Sequence, residues 1–202
     1  MEKKSFVEVI REPQNIIALG VTLISICALA VSIMQTRIMA EQRMLMYEQA
    51  KASVWPRLEI IMGKSHSAEN YQITALSLNI TNGGVGPAII TDMRVTHNDE
   101  PVKNWWYLFK KFNLPDSIPT YIGNLDINNS IVKIGGNDTF LNFSHNLSLA
   151  QFYFKNYKYI KIEIWYESIY HDKWKVTYFE GNCLTEEVSA DFSLPSEEQF
   201  EN

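Results

Sequence analysis

The sequence predicts a mainly β protein in which an N-terminal transmembrane helix and a helical stalk precede an antiparallel β-sandwich or open barrel with one or two short helices. Three observations predict this fold class. Nineteen consecutive uncharged residues lie near the N-terminus, and a stretch without glycine or proline follows them. Short β-branched and aromatic runs, separated by turn residues, fill the rest of the chain.

The 202 residues divide by pattern into five segments. We predict an N-terminal tail over 1–14, a transmembrane helix over 15–35, a helical stalk over 36–53, a β-sandwich-like soluble domain over 54–194 and an acidic tail over 195–202. The polar composition of the last ten residues, SLPSEEQFEN, predicts loose order.

The membrane span is the strongest signal in the chain. Residues Ile16 to Met34 carry no charge and reach roughly 28 Å as a helix, close to the roughly 30 Å hydrocarbon core of a bilayer. A cleaved signal peptide is the alternative, because MEKKSFVEVI supplies a positive start. The length of the apolar run and the lack of a small-residue cleavage site after it favour an uncleaved anchor.

The charges that flank the span leave its orientation open. Three cations precede it and three follow it: Lys3, Lys4 and Arg11, then Arg37, Arg43 and Lys51. The leader containing Lys3 and Lys4 favours a cytoplasmic N-terminus. We therefore predict a single-pass protein of the cell inner membrane with a periplasmic or otherwise extracytoplasmic domain.

Small residues recur along the span at spacings of three and four, at Ala18, Thr22, Ser25, Ala28 and Ser32. In lipid, small residues on one helix face permit close helix–helix contact, and hydroxyls can hydrogen-bond across it. The alternative is that these residues are ordinary membrane-helix composition, with hydroxyls bonded to their own helix. The pattern is compatible with a homo-oligomer or with a membrane protein partner.

The stalk is rich in helix formers and carries a broken apolar stripe of Ile38, Met39, Leu45 and Met46. Such a stripe pairs with a second copy or packs on the soluble domain. Sustained heptads are lacking, so a long coiled coil is not supported. Pro56 ends the helix and begins extended chain.

Seven strand-like runs follow the stalk, and alternation is clearest in the sixth. They begin at Arg57, Ile73, Ile89, Ser130, Thr139, Tyr159 and Lys173. In the sixth run, Ile160, Ile162, Ile164 and Tyr166 face one way, and Lys161, Glu163 and Glu167 face the other. A short IYHDK link to the seventh run, in which Trp174, Val176 and Tyr178 alternate, predicts a hairpin.

One insertion, VKNWWYLFKKF, has helical spacing of its aromatic residues. The favoured interpretation is a helix that caps one end of the sandwich and buries its aromatics. The alternative is a basic amphipathic helix that contacts a membrane surface or a partner through Trp105, Trp106, Phe109, Lys110 and Lys111. The segment SLAQFYFKNYK is a second short helix or a connecting strand.

The glycine-rich stretch LNITNGGVGPAII resembles a phosphate-binding loop but lacks its chemistry. A P-loop needs a lysine after its last glycine, and a dinucleotide fingerprint needs GxGxxG at the start of a helix. Here Pro87 and a strand-like run follow. We therefore interpret Asn82, Gly84, Gly86 and Pro87 as a structural turn, with Asn82, Gly83 and Gly84 supplying positive φ.

The remaining chemistry-bearing residues form no catalytic or metal-binding motif. No two of His66, His97, His145 and His171 have metal-ligand spacing, and only a site assembled from distant strands stays open. Acidic neighbours of Cys183 would raise its pKa, which disfavours a nucleophile. The formal net charge of −5 gives no support for nucleic-acid binding. We predict no enzyme activity, no cofactor and no metal.

Two short motifs resemble a group of bacterial single-pass membrane proteins, whose shared features are an N-x-G-x-G-P-A segment and a late strand of the type YxSxYxxxW. The matching residues here are Asn82, Gly84, Gly86, Pro87 and Ala88, then Tyr166, Ser168, Tyr170 and Trp174. The resemblance implies the same anchoring and the same β domain, and it brings no activity. Such proteins often have cysteines around the late strand. This chain has Trp165 and Glu167 there, so no disulfide or metal role transfers.

From these observations the sequence predicts a noncatalytic, membrane-anchored β-domain protein. It would act as a binding or interaction module in contact with the lipid bilayer, through self-association or a partner. The alternative is a membrane-acting effector or accessory protein of a bacterial stress or anti-phage defence system.

Overall fold

The computed structural model describes residues 13–69, 72–112, 114, 118, 122–189 and 191–201. The chain separates into two compact units, one ending at Ala50 and the other beginning at Lys51. The predicted N-terminal tail lies mostly outside the described residues.

One helix, α1, runs without interruption over Pro13–Ala52. At about 1.5 Å per residue its 40 residues are about 60 Å long, and the predicted span and stalk are parts of this one helix. None of its described residues is buried, and it is long and apolar enough to cross a membrane. The helix ends four residues before Pro56, in agreement with the prediction that this proline begins extended chain.

The five small residues of the span all lie on the exposed surface of α1. The Thr22 Oγ1 donates to the Ala18 carbonyl and the Ser25 Oγ donates to the Val21 carbonyl, each at 2.8 Å. These two hydroxyls are therefore hydrogen-bonded within the helix, so a helix–helix contact on this face would rest on close packing.

The second unit contains two antiparallel sheets that do not close on themselves. The first has the strand order β1-β2-β7-β5, and the second has the order β10-β9-β8-β3-β4 with β6 also paired to β3. The strands are β1 Leu58–His66, β2 Ile73–Asn82, β3 Ala88–His97, β4 Glu100–Val102, β5 Gly123–Asn124, β6 Ile131–Val132, β7 Asn137–Asn142, β8 Ile160–Glu167, β9 Lys173–Phe179 and β10 Asn182–Val188.

Two short α-helices interrupt the strand succession. Helix α2, Trp105–Lys111, begins at Asn104, whose side chain accepts from the Tyr107 N–H. Helix α3, Leu147–Asn156, is capped in the same way by Asn146 and continues into a turn of 3₁₀-helix at Tyr157–Tyr159. The segment SLAQFYFKNYK is therefore helical rather than a connecting strand.

Both sheets and both short helices contribute to one hydrophobic core. The predicted alternation in β8 is correct for its inward face, where Ile160, Ile162 and Ile164 are buried. The predicted hairpin is confirmed, because β8 pairs with β9 from Lys161 opposite Phe179 to Glu167 opposite Lys173. 

Strand β10 was not predicted from the sequence. Its segment NCLTEEV is largely exposed and lacks apolar alternation, and it is held by pairing with β9. This strand brings the second sheet next to β1, the edge of the first, and side chains from β8 and β10 hydrogen-bond to the β1 backbone. The Leu58 N–H donates to the Tyr166 hydroxyl at 3.3 Å, and the Thr185 hydroxyl donates to the Leu58 carbonyl at 3.2 Å. 

The predicted loose order of the last residues is wrong for those that the structure describes. Residues 192–201, here called the strap, cross the outer face of the second sheet from β9 to beyond β4. Leu194 and Phe200 are buried, and the Phe200 N–H donates to the Met93 carbonyl at 2.8 Å. The outward face of β8 is covered as a result, so Glu163, predicted to be solvated, is only 4% exposed.

Candidate functional site

The glycine-rich stretch forms a loop between β2 and β3 that is organised by one buried amide. The Asn82 side chain is fully buried and makes four hydrogen bonds. Its Oδ1 accepts from the Arg57 and Gly84 N–H groups at 3.2 and 3.0 Å. Its Nδ2 donates to the Gly86 and Val132 carbonyls at 2.8 and 3.1 Å. The amide therefore ties together three separate segments.

The glycines of this loop are required for close backbone approach rather than for positive φ. None of Gly83, Gly84 and Gly86 has a positive φ, so the sequence-based reason for the turn is wrong. A Cβ on Gly84 would lie 2.7 Å from the Pro56 carbonyl carbon, and one on Gly86 would lie 2.8 Å from the Val54 Cα. Real Cβ contacts are essentially never under 3.0 Å. 

The loop is therefore a clamp for the segment that directly follows α1. The Gly83 N–H donates to the Arg57 carbonyl and the Val85 N–H donates to the Trp55 carbonyl, both at 2.9 Å. The space beside Gly84 and Gly86 is filled by the chain's own backbone, which leaves no room there for a phosphate group. Residues 54–57 are thereby fixed to the sheets.

The five residues of α2 that were predicted to contact a membrane surface or a partner fall into a buried group and an exposed group. Trp105 and Phe109 are buried in the core, as the capping interpretation expects. Trp106 is 51% exposed, and the Lys110 Nζ lies 5.0 Å from the centroid of its ring. Lys111 pairs with Glu100 at 2.7 Å. Of these five residues, Trp106, Lys110 and Lys111 are available to an external partner.

The outer face of the second sheet holds a cluster of charged groups centred on Glu163. The Arg94 Nε and Nη2 bind the Glu163 Oε2 at 2.8 and 2.7 Å, and the Arg94 Nη1 binds the Glu198 Oε2 of the strap. Lys175 lies 3.4 Å from the Glu163 carboxylate and 2.7 Å from that of Glu186. These groups come from four strands, β3, β8, β9 and β10, and from the strap.

The pKa values of the two cations reflect their carboxylate partners. Partial burial by itself lowers the pKa of Arg94, but hydrogen bonds and charges from Glu163 and Glu198 reverse the direction and raise it. Partial burial likewise lowers the pKa of Lys175, and Glu186 with Glu163 raises it overall. Both side chains remain cationic at neutral pH.

The strap lies over these groups in an ordered path. The Phe192 ring stacks on Trp165 with centroids 5.4 Å apart, and its carbonyl accepts from the Lys173 Nζ at 3.0 Å. Gln199 then donates to the Asp92 carboxylate at 2.8 Å, and the Glu201 N–H donates to the Lys103 carbonyl at 2.7 Å. A groove of about 600 Å³ remains between the strap and the sheet, lined by Arg94, Trp165, Lys175, Glu186, Phe192 and Leu194.

The structure separates the residues with nucleophilic or acid–base chemistry. The Cys183 Sγ accepts from the Ile60 N–H at 3.4 Å; although the residue as a whole is exposed, burial of the thiol and the nearby Glu59 raise its pKa. Partial burial and Lys111 lower the pKa of His97, which packs against Phe112. Within the described ranges no group of three or more His, Cys, Asp or Glu side chains could hold a metal ion.

Sequence reasoning missed the outer-face cluster and the strap. A signal was present in the alternation of β8, where Trp165 occupies an outward position between Glu163 and Glu167. A large aromatic residue on a face expected to be solvated indicates a cover, and Phe192 supplies it. Comparison of the chain with known protein families, with curated proteins and with solved structures finds no match.

Proposed function

We propose that the chain is a noncatalytic, single-pass membrane-anchored protein whose β domain, sandwich-like in arrangement, acts as an interaction module. In this proposal α1 both spans the inner membrane and associates with a second copy or with a membrane protein partner. The observation that carries the proposal is that α1 exposes apolar side chains along its whole described length. A helix that is apolar all round is stable in water only when something covers it.

The clamp supports an interaction role because it fixes the segment that directly follows α1 to the sheets. Residues 54–57 are held by the Asn82 amide and by the close approach of Gly84 and Gly86. Lys51, in the last turn of α1, forms an ion pair with Asp172 at 2.6 Å. Association of the helices would therefore bring the domains of different copies together.

The association is tested by cross-linking the full chain in lipid. Ala18→Leu, Ser25→Leu and Ala28→Leu enlarge the face formed by the small residues, and we expect each to reduce cross-linking. Ala30→Leu is the matched control, because residue 30 projects roughly 160° from the direction of Ala28 on a helix of 3.6 residues per turn. An uncross-linked wild type, or equal effects of Ala28→Leu and Ala30→Leu, would remove the proposed contact.

The orientation is tested separately by protease protection in spheroplasts, from which the outer membrane has been removed. We propose that the β domain lies on the extracytoplasmic side, which the Lys3 and Lys4 leader favours. Protease added outside the inner membrane is then expected to cleave the domain. Cleavage only after lysis of the inner membrane would reverse the assignment without affecting the association.

A further inference from the structure

The outer face of the second sheet presents an arginine that is already held in a fixed orientation. Glu163 is buried beneath the strap, and its carboxylate accepts from the Nε and Nη2 of Arg94. The remaining Nη1 of Arg94 binds Glu198 of the strap. The guanidinium lies 5.3 Å from the centroid of the Trp165 ring, and the Lys175 Nζ lies 5.9 Å from it. A guanidinium fixed on one side by a carboxylate is preorganised to bind a second carboxylate.

A pocket for an aromatic ring lies next to Met93 of β3, the residue before Arg94, and it is part of the hydrophobic core. The strap places Phe200 there, 1% exposed, with its ring edge-on to Trp105 at a centroid distance of 4.8 Å. The backbone of Phe200 is bound on both sides: its N–H donates to Met93, and its carbonyl accepts from the Asn128 Nδ2 at 3.0 Å. The outer face and the adjoining core pocket therefore bind a glutamate and, two residues later, a phenylalanine.

The strap fits this face incompletely. Apart from a local turn bond from the Phe192 N–H to the Ser189 carbonyl, its described residues form two backbone–backbone hydrogen bonds to the rest of the chain, from Phe200 and from Glu201. Grooves of about 600 and about 420 Å³ run along its margins. Two buried atoms next to Phe200, the Trp105 Nε1 and the Asn128 Oδ1, have no hydrogen-bond partner among the described residues. Each unpaired buried group costs free energy, which weakens the binding of the strap to this face.

We propose that the outer face of the second sheet is a binding surface for an extended acidic peptide segment with the pattern Glu-x-aromatic, and that the strap is its resident, displaceable ligand. A partner segment of this chemistry takes the place of Glu198 on Arg94 and of Phe200 against Trp105. While the strap is bound, the surface is closed to partners. This inference deepens the proposed function, on which it rests, by naming the chemistry of a partner.

The test measures binding of a fluorescent peptide, DFSLPSEEQFEN, to the full chain in lipid nanodiscs. This probe repeats residues 191–202 and so contains the strap. In one variant the resident strap is weakened by Glu198→Ala together with Phe200→Ala. We expect this variant to bind the probe about tenfold more tightly than wild type, because the competing strap has lost its contacts with Arg94 and with Trp105.

Two controls separate the surface from general exposure of the core. A probe with alanine at the positions of Glu198 and Phe200 should bind at least about tenfold more weakly than the intact probe. Adding Arg94→Ala to the strap-weakened chain should weaken binding of the intact probe by a similar factor. A folded strap-weakened variant that binds the probe no more tightly than wild type would overturn the proposal.

A second measurement applies if the strap-weakened variant does not fold. Asp92→Cys and Gln199→Cys, in a background of Cys27→Ser and Cys183→Ser, are joined by a thiol cross-linker with a reducible disulfide, which spans the distance that the two hydrogen-bonded side chains now bridge. The cross-linked chain should exclude the probe, and reduction should restore binding. Equal probe binding before and after reduction would contradict the proposal. A chain that is monomeric in lipid but passes these peptide tests would refute only the association through α1.

Discussion

Addition of a single methyl group to the clamp, at Gly86, tests its geometry directly. In Gly86→Ala the new Cβ would lie 2.8 Å from the Val54 Cα and still closer to the Val54 carbonyl, which are both backbone positions. Residue 54 cannot move away by a change of rotamer, so the segment that follows α1 must shift as a whole. The shift would break the hydrogen bonds from Asn82 to Gly86 and from Val85 to Trp55.

The expected cost follows from these contacts. Overpacking a rigid site costs about 1–3 kcal/mol, and each lost hydrogen bond adds about 1 kcal/mol. We therefore expect Gly86→Ala to lower the free energy of unfolding by about 3–5 kcal/mol, which corresponds to a decrease in Tm of roughly 6–20 °C for a domain of this size. Gly83→Ala is the matched control in the same loop, because no atom lies within 4 Å of its added Cβ.

The assay is urea unfolding of the full chain in detergent, followed by tryptophan fluorescence, with Trp55 and Trp174 close to the clamp. Gly83→Ala should change the free energy of unfolding by less than about 1 kcal/mol, and in the stabilising direction if at all. Gly84→Val should also impair folding, because its Cβ approaches Pro56 and Arg57. If Gly86→Ala and Gly83→Ala have equal stability, the reasoning about close backbone approach is refuted.

Four further predictions concern the buried and titratable groups. Asn82→Ala and Asn82→Asp should each lower the free energy of unfolding by about 3 kcal/mol in the same assay. Alanine removes the hydrogen bonds of the amide, and aspartate places a carboxylate against the Gly86 and Val132 carbonyls to which the amide now donates. Glu163→Gln should cost about 2 kcal/mol, because it leaves two partly buried cations without their shared carboxylate. Cys183 should react with iodoacetamide at pH 8 more slowly in the folded chain than in urea, and Glu59→Gln should increase the folded rate, since burial and Glu59 raise its pKa. The pKa of His97 is lowered in the folded chain, so its contribution to stability is complete above the ordinary histidine pKa of about 6.5. That contribution is lost as the pH falls through the folded pKa. In urea titrations at different pH, His97→Asn should remove this loss of stability.

Each of these predictions has a distinct contradicting result. Wild-type stability of Asn82→Asp would mean that the Nδ2 bonds to Gly86 and Val132 contribute nothing. An unchanged unfolding midpoint for Glu163→Gln would mean that water reaches the cluster beneath the strap. Equal alkylation rates of Cys183 in the folded and unfolded chain would remove the burial argument, and an unaltered pH profile for His97→Asn would remove the linkage to that residue.

The elements that could be predicted from the sequence are those with a local cause. The uncharged run Ile16 to Met34 is a helix because its backbone groups are satisfied within the segment, and it continues through the glycine-free stalk. The β8–β9 hairpin was predictable because its apolar alternation and its short link lie within about twenty residues of sequence. Apolar alternation indicates one buried face of a strand, and the inward face of β8 was predicted correctly from it.

The elements that could not be predicted depend on contacts between distant segments. Trp165 and Glu163 are buried because the strap, about thirty residues later, covers them, and no local pattern encodes that cover. Gly84 and Gly86 were correctly placed in a turn for the wrong reason, since the segment at 54–57 that approaches them is remote in sequence. Strand β10 was missed because pairing with β9, rather than burial, holds it in place.

The central claim, association through the membrane helix, is tested most directly by energy transfer between copies of the full chain in lipid vesicles. Donor-labelled and acceptor-labelled chains are co-reconstituted at successively lower protein-to-lipid ratios. The account predicts transfer that stays above the level expected for random proximity as lipid dilutes the chains, and that Ala28→Leu lowers it while Ala30→Leu does not. Transfer equal to random proximity at every dilution would contradict it.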